Sequence, residues 1–332
     1  MSVNPGVSSS PAAVGAGEFR RPRPVRMLWI TAAFGACFVG IQIGLRDAPV
    51  LWFAALRALV AGGALLALAG VQHRPVPSGG RAWGLITVLG LVNVTVAFAA
   101  MFGGVAGLAT GTAAVLANAQ PLLILLPAWW LYGEAVSWRT AAALVVGFTG
   151  LVVVAVPGGG GSGAALSVLA AAAITGGTLL ARRLGGLDVI VATGWHFVIG
   201  GAALVVLAAA VEGAPVIGWT PRFVAVLAFL ALVGTAATTV VWFIEARRSR
   251  LDILTAWTFL TPVVGIVLSA VVLRELPAGW TAVGLAAVLV AMWVVLRPGR
   301  ARPPAAYRLP ARVGQPVSPS VRRKITDAHR NS

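Results

Sequence analysis

Ten apolar stretches, separated by short polar or glycine-rich breaks, follow one another through most of the chain. Their approximate limits are 27–44, 49–71, 82–103, 107–131, 138–156, 164–182, 188–210, 223–245, 252–273 and 279–296. At about 1.5 Å of rise per residue, a helix of about 20 residues crosses the roughly 30 Å hydrocarbon core of a bilayer. No water reaches backbone N–H and C=O groups in that core, so apolar runs of this length fold as helices that satisfy themselves. The pattern predicts an all-α integral membrane protein with ten transmembrane helices. The third and fourth stretches are the least clearly divided, with only Gly103, Gly104 and their neighbours between them. Residues 158–163, four glycines followed by Ser162 and Gly163, read as a flexible connector between the fifth and sixth.

Composition sharpens this picture. Of the 332 residues, 59% are hydrophobic and only 10% charged, against about 25% charged in ordinary soluble domains. A soluble globular protein is excluded. The single Cys37 excludes an internal disulfide, and three histidines argue against a multi-ligand metal site. Residues 1–26 combine Pro, Ser, Gly and Ala with Arg20, Arg21, Arg23 and Arg26, and read as a disordered cytoplasmic tail. Residues 298–332 read the same way. Basic residues before an apolar stretch also mimic a signal peptide, but this stretch is long enough to span and further spans follow, which favours a first membrane helix.

The net charge of +16 first suggests a nucleic-acid partner. Its distribution removes that suggestion. With the amino terminus inside, the inner loops and tails receive twenty-one Arg and Lys residues, whereas the outer loops receive only Arg46, Arg222 and Arg274. This is the positive-inside bias of a multi-pass protein with both termini cytoplasmic. Arg57, within the second stretch, is the one basic residue left over from the loops and tails.

Sliding the chain against itself by 141 residues aligns Pro121 with Pro262, Glu134 with Glu275, Thr140 with Thr281, Phe102 with Phe243 and Asp47 with Asp188. Gly35 meets Gly176 and Gly44 meets Gly185 in the same register. The chain therefore divides into two repeats, 27–156 and 164–297, of five helices each. An odd number of spans inverts the second copy relative to the first, the architecture through which secondary transporters alternate access to a midplane site.

Several of these residues also resemble a known family. Phe34 to Leu45 (FGACFVGIQIGL) is similar to the first helix of the EamA-type transporters of the drug/metabolite transporter superfamily, with Phe34 where the family often has Trp and Gln42 where it often has Lys. Leu56-Arg57 resembles the arginine of the family's second helix. The run from Gln120-Pro121-Leu122 to Tyr132-Gly133-Glu134, repeated as Pro262 with Glu275, resembles the signature closing the fourth helix of each half. The resemblance covers residues 27 to 297 and implies a ten-helix transporter of small organic solutes, often an exporter.

Candidate substrate-binding residues are the polar and aromatic groups placed within spans. Arg57 needs a cavity, a partner or a route to the interface, and either snorkels or binds a carboxylate or phosphate. His196, beside Trp195, is either a hydrogen-bonded helix contact or a proton or substrate site. Asn93, Asn118 and Gln120 supply amides, and Thr255, Thr258 and Thr261 recur on one helix face. Pro121 and Pro262, as structural hinges, would kink their helices and free backbone carbonyls near these groups. With Trp242 and Trp257 they would form a cavity suited to an amphipathic metabolite. Asp47, Glu134, Asp188, Glu245 and Glu275 fall near predicted helix ends, which favours exchange or facilitated diffusion unless His196 carries a proton. The Gly40/Gly44 and Gly103/Gly107/Gly111 spacings read as helix-packing faces.

No phosphate loop, zinc spacing or nucleophile motif stands in a supporting context. A secondary transporter of the cell membrane with no cofactor is the leading expectation, followed by a lipid-modifying membrane enzyme and then a non-transporting receptor or scaffold. The partners expected are a small-molecule substrate and the lipid bilayer, with no nucleic acid; a homodimer is an open alternative.

Overall fold

A computed structural model describes residues 21–132, 137–155, 161–275 and 279–296. The expected tails, apart from residues 21–26, and Glu134 lie outside the described residues. All regular elements among the described residues are helical. They run α1 (Pro24–Gly44), α2 (Val50–Val71), α3 (Gly80–Gly107), α4 (Thr110–Ala117), α5 (Gln120–Leu123), α6 (Leu125–Tyr132), α7 (Trp138–Ala155), α8 (Gly161–Arg182), α9 (Val189–Val211), α10 (Pro221–Arg248), α11 (Leu251–Leu273) and α12 (Gly279–Leu296). Seven of them, α1, α2, α3 and α8 to α11, are long and apolar enough to cross a membrane. Helices α7 and α12 carry shorter apolar cores, Ala141–Gly150 and Ala282–Ala291.

Local chemistry sets several boundaries. Helix α1 starts at Pro24, inside the expected tail, because a proline in the first turn lacks only an N–H that would have no helical partner there. Arg26 is thus a helical residue. Asp188 caps α9 by accepting from Ile190 N and Val191 N at 2.9 and 3.1 Å, and Thr220 caps α10 through Phe223 N at 3.1 Å.

Two expectations about glycine need correction. Helix α3 runs through Gly103 and Gly104 and stops only at Gly107, before the extended residue Leu108. The glycines stay helical because α8 presses on them: a Cβ on Gly104 would lie 2.4 Å from Ser167 Oγ. Of the expected connector over 158–163, residues 158–160 lie outside the described residues, while Gly161, Ser162 and Gly163 belong to α8. A Cβ on Gly163 would come within 2.9 Å of Leu108 Cγ and 3.1 Å of the Gly107 backbone. The spacing expected to pack helices does so at Gly44 against Phe53, Gly107 against Gly163 and Gly111 against Ile266.

The fourth apolar stretch is broken. Helix α4 ends at Ala117, and α5 restarts at Gln120 with Pro121 in its first turn. Proline cannot donate and its ring crowds the carbonyl four residues back, so the ladder is interrupted ahead of it. At the equivalent place in α11, a 3₁₀ turn over Trp257–Phe259 precedes Pro262. Helices α3 and α10 also share a π-helical segment, Leu91–Val96 and Phe229–Ala237. The 141-residue offset carries the bounds of α3 onto those of α10, and those of α7 onto those of α12.

Two apolar clusters fill the interior. One surrounds Phe53, whose ring meets Phe102 at 5.2 Å and Phe223 at 5.1 Å. The other gathers Met27, Ile30, Ile86, Ile124, Leu251 and Leu254. Ion pairs tie the first half of the chain to the second at each end. Asp47 holds Arg222 through both carboxylate oxygens, the closest contact being 2.9 Å, and Asp188 holds Arg74 at 2.6 Å. Glu212 accepts from Leu51 N and Trp52 N at the start of α2, and Glu275 from Thr110 N and Oγ1 at the start of α4. The outward faces stay apolar, as at Val145, Phe148, Val283 and Trp293, where a bilayer supplies the missing contact.

Candidate functional site

Between the two clusters lies a cavity with about 800 Å³ of empty space, its open mouth included. It is lined from both halves of the chain, by α1 to α5 on one side and α8 to α11 on the other. Six of the eight expected binding residues reach it: Arg57, Asn93, Asn118, Gln120, Trp242 and Thr258.

Arg57 sits seven residues into α2 and is 3% exposed, so it does not snorkel. Its Nε donates to Thr235 Oγ1 at 2.7 Å, and its Nη2 to the Gly234 carbonyl at 3.3 Å and towards Cys37 Sγ at 3.6 Å. Both Gly234 and Thr235 lie in the π-helical part of α10, where the widened turn aims groups away from the usual ladder. Phe98 lies under the guanidinium at 4.7 Å and Phe102 at 5.7 Å. Among the described residues Nη1 has no partner. A charge at mid-bilayer costs at least about 2.5 kcal/mol even on insertion scales, so this burial demands a compensating environment.

A second polar cluster is centred on Thr178. Its hydroxyl accepts from Gln120 Nε2 at 2.7 Å and Trp242 Nε1 at 3.2 Å, and lies 3.1 Å from the Ile174 carbonyl, to which it donates. Asn118 donates to the Ala114 carbonyl at 2.7 Å, next to the break before Pro121. Thr258 donates to the Thr255 carbonyl at 2.7 Å. Phe34 leans on Trp242 at 6.3 Å between ring centroids.

Two expected residues stand elsewhere. His196 is fully buried, its Nδ1 3.3 Å from the Ala192 carbonyl and its ring 4.3 Å from Phe197. The backbone of Gly90 crosses directly over its carbonyl, and the cavity wall is formed by the neighbouring Phe197. Trp257 packs against the cluster around Leu251, while Thr258 faces the cavity. Pro121 and Pro262 are buried at the helix breaks, behind the lining.

Cys37, Thr178, Gly234 and Thr235 line the cavity without having been singled out from the sequence. The 141-residue register held a signal for them: it places Thr178 on Cys37 and Gly234 on Asn93. The offset thus links one member of each polar cluster, Cys37 and Thr178.

At one end of the bundle, Glu245 is fully buried, accepting from Arg26 Nη1 of α1 at 3.2 Å and from Arg248. Outside the membrane spans, burial alone would raise the Asp188 pKa, but the N–H groups of Val191 and Ile190 and the Arg74 guanidinium outweigh it and lower the carboxyl below its ordinary value.

Comparison with known proteins places this geometry in a family. The EamA-like transporter family matches residues 26–156 and again residues 161–297. The WAT1-related protein At3g02690, chloroplastic, of Arabidopsis thaliana is 31% identical over 283 residues, 79% of this chain and 66% of its own length. The chain thus spans about two thirds of that relative. The uncharacterized transporter sll0355 of Synechocystis is 27% identical over 79% of this chain and 86% of its own, and Protein PecM of Dickeya dadantii is 28% identical over 78% and 86%. A crystal structure of another protein, 19% identical, superposes with a TM-score of 0.64 over 81% of this chain and 94% of that one, a likeness of fold. The chain belongs to the EamA-like transporter family and is a multi-pass membrane transporter of the drug/metabolite transporter type.

Proposed function

We propose that this protein is a secondary transporter of small organic solutes in the cytoplasmic membrane, built from two inverted repeats of five helices over 27–156 and 164–297, with both termini cytoplasmic. The observation that carries this reading is one central cavity walled by both halves of the chain. Matching helix bounds at the 141-residue offset support the duplication, and the arginine-rich loops support the orientation. Export is the direction that the family resemblance suggests.

In this reading the two halves exchange conformations, so the cavity opens alternately to either side. The two ends of the bundle differ in how they close. At the Asp47 end, α3 and α8 meet through Gly104, Gly107 and Gly163. At the other end the offset replaces this crossing with α1 and α10, joined by the Arg26–Glu245 pair. Glycines allow close backbone approach, whereas an ion pair is a contact that separates and re-forms.

The test is solute flux in proteoliposomes holding the full chain, with and without an imposed pH gradient. Flux that saturates and competes between solutes is expected. No flux for any of a panel of organic acids, amino acids, nucleosides and cationic drugs would overturn the reading.

A further inference from the structure

We infer that the solute is an organic anion with two ends, its acidic group taken by Arg57 and a neutral hydrogen-bonding group taken by the Gln120–Thr178–Trp242 cluster. This deepens the transporter reading and rests on it. Three observations lead here. The first is charge balance. Among the described residues, Arg57 is the one ionisable group lining the cavity apart from the Cys37 thiol. Each acidic residue among the described residues is engaged elsewhere: Asp47 by Arg222, Asp188 by Arg74, Glu245 by Arg26 and Arg248, Asp252 by Arg250, Glu212 by the start of α2 and Glu275 by Thr110. Among the described residues, the cavity therefore holds a cation without a counter-charge. An anion that enters it gains a partner, and a second cation meets repulsion in a low-dielectric site.

The second observation is capacity. Nη1 of Arg57 is buried and without a partner among the described residues, while Nε and Nη2 are spent on Thr235, Gly234 and Cys37. The guanidinium is thus fixed in place with donors in reserve, the condition for charge-assisted binding of a carboxylate.

The third is the inequality of the two polar clusters. The offset sets Cys37 on Thr178 and Gly234 on Asn93, but sets Arg57 on Val198. One side of the cavity carries a charge and the other only hydroxyl, amide and indole groups. Phe34, Phe38, Phe98 and Phe197 supply an apolar wall. A solute matching all three has one carboxylate, an apolar or aromatic body and a neutral polar group.

The experiment is counterflow into proteoliposomes of three matched series: 4-hydroxyphenylacetate, phenylacetate and hexanoate, with the corresponding amides and amines. In the unmodified protein the acids should be taken up at least about tenfold better than their amides, as expected for a hydrogen bond to a charged group, and the amines least. Arg57→Gln should bring the acid-to-amide ratio close to one, whereas Arg57→Lys should keep a preference for the acids. Gln120→Leu should weaken 4-hydroxyphenylacetate at least several-fold more than phenylacetate, and equal effects on the two would remove the cluster from the proposal. Uptake of amines or amides equal to that of the acids by the unmodified protein overturns the inference alone, whether or not the variants fold, and leaves the transporter reading standing. Failure of all three series to move overturns this inference; only failure of the broader solute panel as well overturns the transporter reading.

Discussion

Gly104 of α3 and Ser167 of α8 approach so closely that a Cβ on the glycine would sit 2.4 Å from the serine Oγ. The residues 141 positions away from each, Glu245 and Arg26, also meet, as an ion pair at 3.2 Å. One crossing of the repeat is thus built from absent side chains and its counterpart from charged ones. In the proposed transport cycle, a rearrangement that exchanges the two halves would compress one crossing and release the other.

A side chain at the glycine crossing should hold it open. Gly163→Val places methyl groups against Leu108 and the Gly107 backbone, an overpacking that typically costs about 1–3 kcal/mol. Thermal unfolding of the detergent-solubilised variant should fall by several degrees, and transport should fall at least tenfold because closure at the Asp47 end is blocked.

Glu245→Ala removes the carboxylate that joins Arg26 of α1 to Arg248 of α10. Breaking a buried pair costs several kcal/mol when the remaining charge is trapped. Here Arg26 and Arg248 are 38% and 30% exposed and regain water, so a loss of about 1–3 kcal/mol is expected. Chemical denaturation of the purified variant measures it.

Asp188 predicts an acid limit to stability. Its carboxyl is held below the ordinary value, so the group stabilises the folded protein at all pH values above the unfolded-state pKa of about 3.9. That contribution is lost as pH falls through the lower, folded-state value. Asp188→Asn should therefore lower the melting temperature at pH 7, and the difference from the unmodified protein should shrink steadily below pH 4.

His196 is predicted to be a packing residue. It is enclosed by Phe197, Phe243 and the Gly90 backbone and does not line the cavity. His196→Met is close to volume-conserving and should change stability by less than about 1.5 kcal/mol. The pH dependence of transport between pH 5.5 and 8 should be unaltered; its disappearance would make His196 a proton carrier.

Much of this was legible in the sequence because membrane insertion leaves few options. Apolar run length marked the helices, and the Pro121/Pro262 pair marked where the fourth and ninth stretches break. Arg57 stood out because a charge within a span has to be accommodated. What the sequence did not reveal was rotation. Where a helix is apolar on every side, no hydrophobic stripe shows which face turns inward. Successive residues point about 100° apart, and a residue beside the right one is easily chosen: His196 neighbours the cavity-lining Phe197, and Trp257 neighbours Thr258. The burial of Glu245 was hidden for another reason. It depends on Arg26, 219 residues away in the chain, in a segment whose composition reads as a tail.

Alternating access of the cavity is the central claim, and cysteine accessibility at Asn118 tests it most directly. In a Cys37→Ala background, Asn118→Cys is challenged with a membrane-impermeant thiol reagent in right-side-out and in inverted vesicles, with transported solute present. Modification from both sides is predicted, with solute changing the rate on each. Modification confined to one side under every condition would contradict it.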